Sequence, residues 1–363
     1  MSDQRSVLVV GAGLIGTSVA LALRERRHHV WLADTRPSNL HDAEELGAGV
    51  PHRGETAEIV VVAVPPASTA QTVAQRLRES DDATVTDTAG IKRRVHDDVQ
   101  ALVAGSAHAG ASHFVGGHPL AGRERGGPRR ARPTLFAGRA WVLTPGPSAS
   151  ADALSDARWL AEECGASPLV MTPQEHDDAV ALTSHLPQIV ASALAAQFGS
   201  ASDAVLELAG QGLRDMTRIA AADPEMWAQI ATGNSSPLAS ALEGLAETLR
   251  HVAASLRDGH GEAGVTALVE DGRNAQRRLP GKHGGAPRTY RIVGVLVPDE
   301  PGQLARVLAD TAAAGVNVED LRVEHAPGLP VGLIELFVGP ESAGSLRAAL
   351  THNGWSVVDE ETT

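Results

Sequence analysis

The segment Gly11-Ala12-Gly13-Leu14-Ile15-Gly16 constrains this chain more than any other. It follows a short apolar run, Val7–Val10, and opens a helix. Strand, glycine loop and helix in this order are the setting in which G-x-G-x-x-G binds a dinucleotide. The first glycine permits a tight turn, the second lets the backbone approach a pyrophosphate, and the third lets helix and strand pack closely. Leu14 and Ile15 belong to the first helical turn, whose unpaired N–H groups and positive dipole end face the phosphates. Asp34 ends the second strand roughly 20 residues on, where a carboxylate accepts from a ribose 2′-OH and repels a 2′-phosphate. NAD is therefore the expected cofactor, with Arg36 close enough to weaken the preference over NADP. Val64-Pro65-Pro66 ends a further strand and is expected over the cofactor, because ligands sit at the carboxyl ends of such strands. A plain strand-ending turn explains it equally well.

Strand candidates Val7–Val10, Val30–Ala33, Ile59–Val64, Thr84–Asp87, Phe114–Gly116, Ala140–Leu143 and Leu169–Met171 alternate with helical patterns. That alternation predicts an α/β, Rossmann-type doubly wound sheet over residues 1–172. The character then changes. Thr172-Pro173-Gln174-Glu175 reads as a capping box with Pro at the first helical position. Apolar residues recur at helical spacing from there to Leu279, which predicts an all-helical domain over 173–279. Pro187 should bend its first helix near Thr183–Ser184. Residues 280–287 read as a linker. Over 288–363 the order βαββαβ predicts a ferredoxin-like domain.

Composition removes several classes of function. A net charge of −13 argues against a general binder of nucleic acid or anionic membrane. The one dense basic run, Arg123 to Arg132, reads as a solvated loop. Cys164 is the single cysteine, so no intrachain disulfide can form. No signal peptide and no charge-free apolar stretch of about 18 residues is expected, which points to a cytoplasmic protein. No Cys/His cluster has metal-ligand spacing.

Three segments carry the candidate chemistry: Gly116-Gly117-His118-Pro119-Leu120-Ala121-Gly122, Thr183-Ser184-His185-Leu186-Pro187-Gln188, and Arg214-Asp215-Met216-Thr217-Arg218-Ile219-Ala220 with Met226-Trp227 beyond. An imidazole titrates near neutrality, so His118 suits a general base, or it merely caps a loop at the ligand edge of the sheet. Arg218 offers a planar bidentate grip on a carboxylate, or pairs with Asp215 three residues earlier. Ser184 and Gln188 share a helix face, with His185 about 100° round.

In this order, after an N-terminal dinucleotide fold, these segments resemble the prephenate/arogenate dehydrogenase family over nearly the whole chain. The resemblance implies NAD-dependent oxidative decarboxylation of prephenate, or of arogenate, in tyrosine biosynthesis. It implies catalytic roles for His118 and His185, substrate contacts from Arg218, Ser184, Gln188 and Trp227, and a helical domain that dimerises. Two positions depart from the family pattern. Gln188 stands where many relatives carry a second His, and Gly90 stands where many carry Ser. Asp299-Glu300-Pro301-Gly302-Gln303-Leu304 and Gly315-Val316-Asn317-Val318 resemble an ACT domain, which implies a regulatory site near Gly302 and Asn317, with tyrosine or another aromatic amino acid as effector. Two other classes remain open. A dehydrogenase of β-hydroxyacids leaves the C-terminal domain unexplained. A non-catalytic sensor of NAD and amino acids fits the glycine at position 90.

Overall fold

The computed structural model describes residues 4–80, 82–104, 110–121, 126–279, 290–325 and 330–359. The expected linker over 280–287, and residues 123–125 of the basic run, lie outside them. The chain divides into two compact units, residues 1–250 and 251–363.

The first unit opens with β1 (Ser6–Val10), α1 (Leu14–Glu25), β2 (His29–Ala33), α2 (Pro37–Glu45), β3 (Val50–Pro51), β4 (Ile59–Val62) and α3 (Pro66–Glu79). It continues with β5 (Thr84–Asp87), α4 (Arg93–Val103), β6 (Phe114–Pro119), β7 (Ala140–Pro145), α5 (Ala151–Glu163) and β8 (Ser167–Val170). The sheet order is β3-β2-β1-β4-β5-β6-β7-β8. All neighbours are parallel except β6 and β7. Chain order reverses between β1 and β4, so the crevice for a ligand opens at their carboxyl ends.

Both faces of β1 are covered. Val7 and Val9 enter one core cluster with Leu23, Leu32 and Leu160, while Leu8 and Val10 enter another with Val60, Val73 and Val95. Burial on both faces is why β1 reads as a continuous apolar run rather than an alternating one.

Two features of the sheet differ from the sequence expectation. Residues Val50–Pro51 add a strand too short to leave a periodic signal. β6 does not stop at Gly116. It runs on through His118 and Pro119, because Gly117 pairs with Leu143 and His118 with Val142 of β7. His118 therefore stands on a strand, not in a loop.

The helices follow: α6 (Pro173–Val180), α7 (Leu186–Ala196), α8 (Asp203–Leu206), α9 (Gln211–Thr217), α10 (Pro224–Gly233), α11 (Ser235–Arg257) and α12 (Gly261–Gln276). The division between the units falls within α11. The capping box is formed: Thr172 accepts from the Glu175 backbone and Glu175 accepts from Thr172. Between α6 and α7 the residues Ala181–His185 form a π-helical turn. Pro187 has no N–H to return to the preceding turn, so the helix widens there instead of continuing regularly.

Contrary to the sequence expectation, one stretch, Pro173–Ala196, is long and apolar enough by length and composition to cross a membrane. Its buried positions include His176, Asp177, His185 and Gln188, all hydrogen-bonded to protein groups. These four polar groups are met by protein partners, while 28% of the apolar window as a whole is buried.

The second unit carries β9 (Arg291–Pro298), α13 (Gln303–Ala313), β10 (Val318–His325), β11 (Val331–Val338), α14 (Pro340–His352) and β12 (Ser356–Asp359). They form an antiparallel sheet of order β10-β11-β9-β12 over a core of Val293, Val295, Leu336, Leu346, Leu350 and Trp355. This is the βαββαβ order expected from the sequence.

Replacing Thr172 with Ala removes the hydroxyl that caps α6 and leaves the Glu175 N–H without its acceptor. The expected cost is about 1 kcal/mol, read as a lower midpoint in urea unfolding at an unchanged slope.

Candidate active site

The glycine loop bridges β1 and α1. Gly11 has φ +103°, and a Cβ there would lie 2.3 Å from the Ala63 carbonyl oxygen, so only glycine fits between β1 and the end of β4. A Cβ on Gly16 would lie 1.9 Å from the Gly11 oxygen, which locks α1 against the loop. Gly13 differs. A Cβ on it would meet no protein atom within 4 Å, so this residue faces open space at the start of α1. No side chain caps α1. A glycine cradle at the N-terminus of a helix, open at Gly13, fits the pyrophosphate of a dinucleotide.

Asp34 follows β2, and its carboxylate accepts from Ala12 N and Arg36 N, each at 2.7 Å. It thus joins the end of the second strand to the glycine loop. Val64 lies next to Gly11, and Pro65 stands exposed at the start of α3, with Thr69 donating to the carbonyls of both. Leu14 is buried and Ile15 packs against the core.

Gly116 and Gly117 are required by crowding. A Cβ on Gly116 would lie 2.4 Å from Thr144 Oγ1, and one on Gly117 would lie 2.5 Å from the Asp87 carbonyl. Beneath them Lys92 is fully buried; its ammonium pairs with Asp87 and donates to the Gly117 carbonyl at 2.7 Å. Asp87 also accepts from Gly117 N at 3.2 Å. Burial pulls the Lys92 pKa down, and Asp87 opposes that shift. This pair fixes the backbone one residue ahead of His118.

His118 Nδ1 lies 2.8 Å from His176 Nε2, with the rings edge to face. Its Nε2 faces Gly90, where a Cβ would stand 3.5 Å away. His176 is buried, and its Nδ1 donates to Asp177 Oδ1 at 2.8 Å. Asp177, also buried, accepts from Lys92 N at 2.8 Å and Arg93 N at 2.9 Å, so it caps α4 from a different segment of the chain. Burial works against its charge, but the hydrogen bonds from His176, Arg93 and Lys92 hold its carboxyl below the usual range.

Asn234 Nδ2 donates to the Asp177 carbonyl at 2.7 Å and to His185 Nδ1 at 3.2 Å. His185 therefore carries its proton on Nε2 and presents a donor. Trp227 stands edge to face on the His185 ring, centroids 6.0 Å apart. Burial, ahead of the charges of His176, Lys92 and His185, holds the His118 pKa well below 6.5. Burial lowers His185 to about 4. Both rings are neutral at pH 7.

Gln188 is buried and donates to the Ile219 carbonyl at 3.0 Å, which ties α7 to the turn Arg218–Ala221. Arg218 and Ser184 are exposed. Gly122 lies outside the described residues. Gly302 and Asn317 belong to the second unit. Gly302 precedes α13 with φ +90°. Asn317 donates to Glu319 at 2.9 Å and lines a cavity of about 360 Å³ with Tyr290, Glu341 and Ser342.

Sequence reasoning passed over Asp87, Lys92, His176, Asp177 and Asn234. One signal was available for Lys92, which is one of only two lysines in the chain. His176-Asp177 was hidden inside an ordinary helical pattern.

The family model "prephenate dehydrogenase, nucleotide-binding domain" matches residues 19–170, and "prephenate dehydrogenase, dimerization domain" matches 172–270. A protein of Streptomyces niveus named "probable prephenate dehydrogenase NovF" is 34% identical over 362 residues, covering 97% of this chain and 99% of that one. The chain belongs to the prephenate dehydrogenase family. The prephenate dehydrogenase of Bacillus subtilis is 27% identical over 332 residues, covering 88% of each chain. Among solved structures, the Aquifex aeolicus prephenate dehydrogenase in complex with hydroxyphenyl propionate and NAD+ has a TM-score of 0.67 at 28% identity. It covers 76% of this chain and 98% of that one. The arogenate dehydrogenase of Synechocystis has a TM-score of 0.63 at 28% identity, covering 75% of this chain and 99% of that one.

Two outcomes follow for this family member. Lys92→Met leaves Asp87 charged and unpaired in the core, so unfolding stability should drop by about 3–5 kcal/mol in a denaturant titration. His96, like His185, is lowered to about 4 by burial, so the unfolded chain binds protons that the folded chain refuses. Stability should be full above pH 6.5 and fall as the pH drops toward 4. Denaturant midpoints measured across that window should decline less steeply in His96→Gln.

Proposed function

We propose that this chain is an NAD-dependent prephenate dehydrogenase that converts prephenate to 4-hydroxyphenylpyruvate and CO2. The observation that carries the reading is the polar cluster joining His118, His176, Asp177, Asn234 and His185 at the carboxyl edge of a dinucleotide-binding sheet. NAD, when bound, supplies the hydride acceptor for the ring carbon bearing the hydroxyl. His118 takes the hydroxyl proton on Nε2 as the hydride leaves, the C–C bond to the ring carboxylate breaks to release CO2, its electron pair aromatises the ring, and the phenolate oxygen so formed takes the proton back from His118.

His185, protonated on Nε2, donates a hydrogen bond to the reacting end of the substrate or the nicotinamide. Arg218 grips a substrate carboxylate as a permanent cation. Ser184 and Trp227 border the same space, and Gln188 adds the hydrogen bond that holds the Arg218 turn. The cradle of Gly11, Gly13, Leu14, Ile15 and Gly16 takes the pyrophosphate, Asp34 the ribose, and Val64 with Pro65 the neighbouring edge.

A second reading, arogenate as substrate, is supported by the likeness to the Synechocystis arogenate dehydrogenase and by Gln188, which has no titratable group to match a keto-acid side chain. The helical region dimerises. This is supported by the matched dimerization model and by exposed Leu206, Leu208 and Met216. The C-terminal unit acts as an ACT regulatory domain with an aromatic amino acid, tyrosine first among them, near Gly302 and Asn317. Its βαββαβ sheet and the Asn317 cavity support that reading. The protein works in the cytoplasm.

The test is NADH absorbance with NAD and each substrate, with and without tyrosine. NADH should form with prephenate or arogenate. His118→Ala should lose about 10²–10⁴-fold in kcat. Arg218→Ala should raise KM for the substrate by about tenfold to a hundredfold, with NAD binding unchanged. If wild-type protein gives no NADH with either substrate, the reading fails.

A further inference from the structure

We propose that His176, oriented by Asp177, is the positioning residue that fixes the His118 tautomer, putting the proton on Nδ1 and leaving the Nε2 lone pair open as proton acceptor. This deepens the reading of His118 as the base and rests on it for its catalytic consequence.

Against burial, the hydrogen bonds that Asp177 accepts hold its carboxyl below the usual range, so it is ionised. An ionised carboxylate can only accept, so the 2.8 Å contact places a proton on His176 Nδ1. Asp177 also takes two backbone N–H groups at the start of α4, so its charge is met without a cation on His176. With a single proton on the ring, held on Nδ1 by Asp177, the Nε2 of His176 is a lone pair. The 2.8 Å contact between that atom and His118 Nδ1 needs one hydrogen, which only His118 can supply. One proton per ring leaves His118 Nε2 bare, on the side toward Gly90.

The position beside that nitrogen holds no side chain, so no hydroxyl at residue 90 can set the ring. The orientation of the base comes from the opposite side, through His176. When the substrate O–H bond breaks and the Nε2–H bond forms, the resulting imidazolium already donates its other proton to His176, itself polarised by Asp177. Burial first, then the neighbouring His176 and Lys92, disfavour that cation, so the proton is held on His118 only transiently. A chain of this form, carboxylate to imidazole to base, controls tautomer as well as angle.

The experiment combines ¹⁵N NMR of histidine-labelled full-length protein with kinetics of two variants. His118 resonances are assigned by their loss in His118→Asn. The wild type should show His118 protonated on Nδ1 and bare on Nε2. His176→Leu, which removes the acceptor, should shift His118 toward protonation on Nε2. It should lower kcat by about 10–100-fold with the KM for NAD unchanged. His176→Gln places an amide oxygen near the former Nε2 and should recover most of both the tautomer and kcat.

Finding His118 protonated on Nε2 in the wild type would overturn the proposal. So would equal losses in the Leu and Gln variants when both melt like wild type. An inactive wild type would instead remove the dehydrogenase reading, while the NMR signal still decides the tautomer.

Discussion

Asp177 is a carboxylate with no access to solvent, and its four hydrogen bonds hold three parts of the fold in register. Its side chain caps α4 through Lys92 N and Arg93 N and orients His176. Its carbonyl receives Asn234, which also reaches His185. A buried charge is tolerable only when it is hydrogen-bonded, and here the carboxylate is met by two consecutive N–H groups at the start of α4 and by the neighbouring His176. Helix α6 is therefore pinned to the sheet region by directional bonds rather than by apolar contact alone.

A second buried charge complements it. Lys92, whose backbone N–H bonds Asp177, sends its ammonium to Asp87 and the Gly117 carbonyl. The backbone and side chain of one residue thus serve both anchors. Gly116 and Gly117 let β6 pass close to β5 and β7 at this point, and His118 emerges from the crowded strand with its backbone already fixed. Rigid support of this kind holds a reacting group within the small tolerance that catalysis requires.

The π-helical turn at Ala181–His185 acts on the other side of the site. By inserting an extra residue into the helix, it rotates His185 relative to His176 and brings it against Asn234 and Trp227. The two neutral rings end with opposite characters. His185 presents a donor, while His118 has a nitrogen available on the Gly90 side. A substrate hydroxyl and a polar acceptor can be met together by such a pair without any change in total charge.

Much of this was written locally. The glycine loop, Asp34, the alternation of strands and helices, the Thr172–Glu175 cap and the βαββαβ order of the C-terminal unit are short-range patterns. Each follows from turn geometry, periodicity or capping within a few residues. His118, His185 and Arg218 stood out because their chemistry is rare at such positions in a chain. Tertiary structure alone decided that His118 lies on a strand, since that depended on pairing with β7, and that Pro187 produces a π turn rather than a simple bend. It alone decided that Asp177 and His176 face His118 across 58 residues of sequence. Hydrogen-bond partners that far apart leave no periodic trace. They are selected by which buried polar groups the packed core brings together, and every such group must then find a partner.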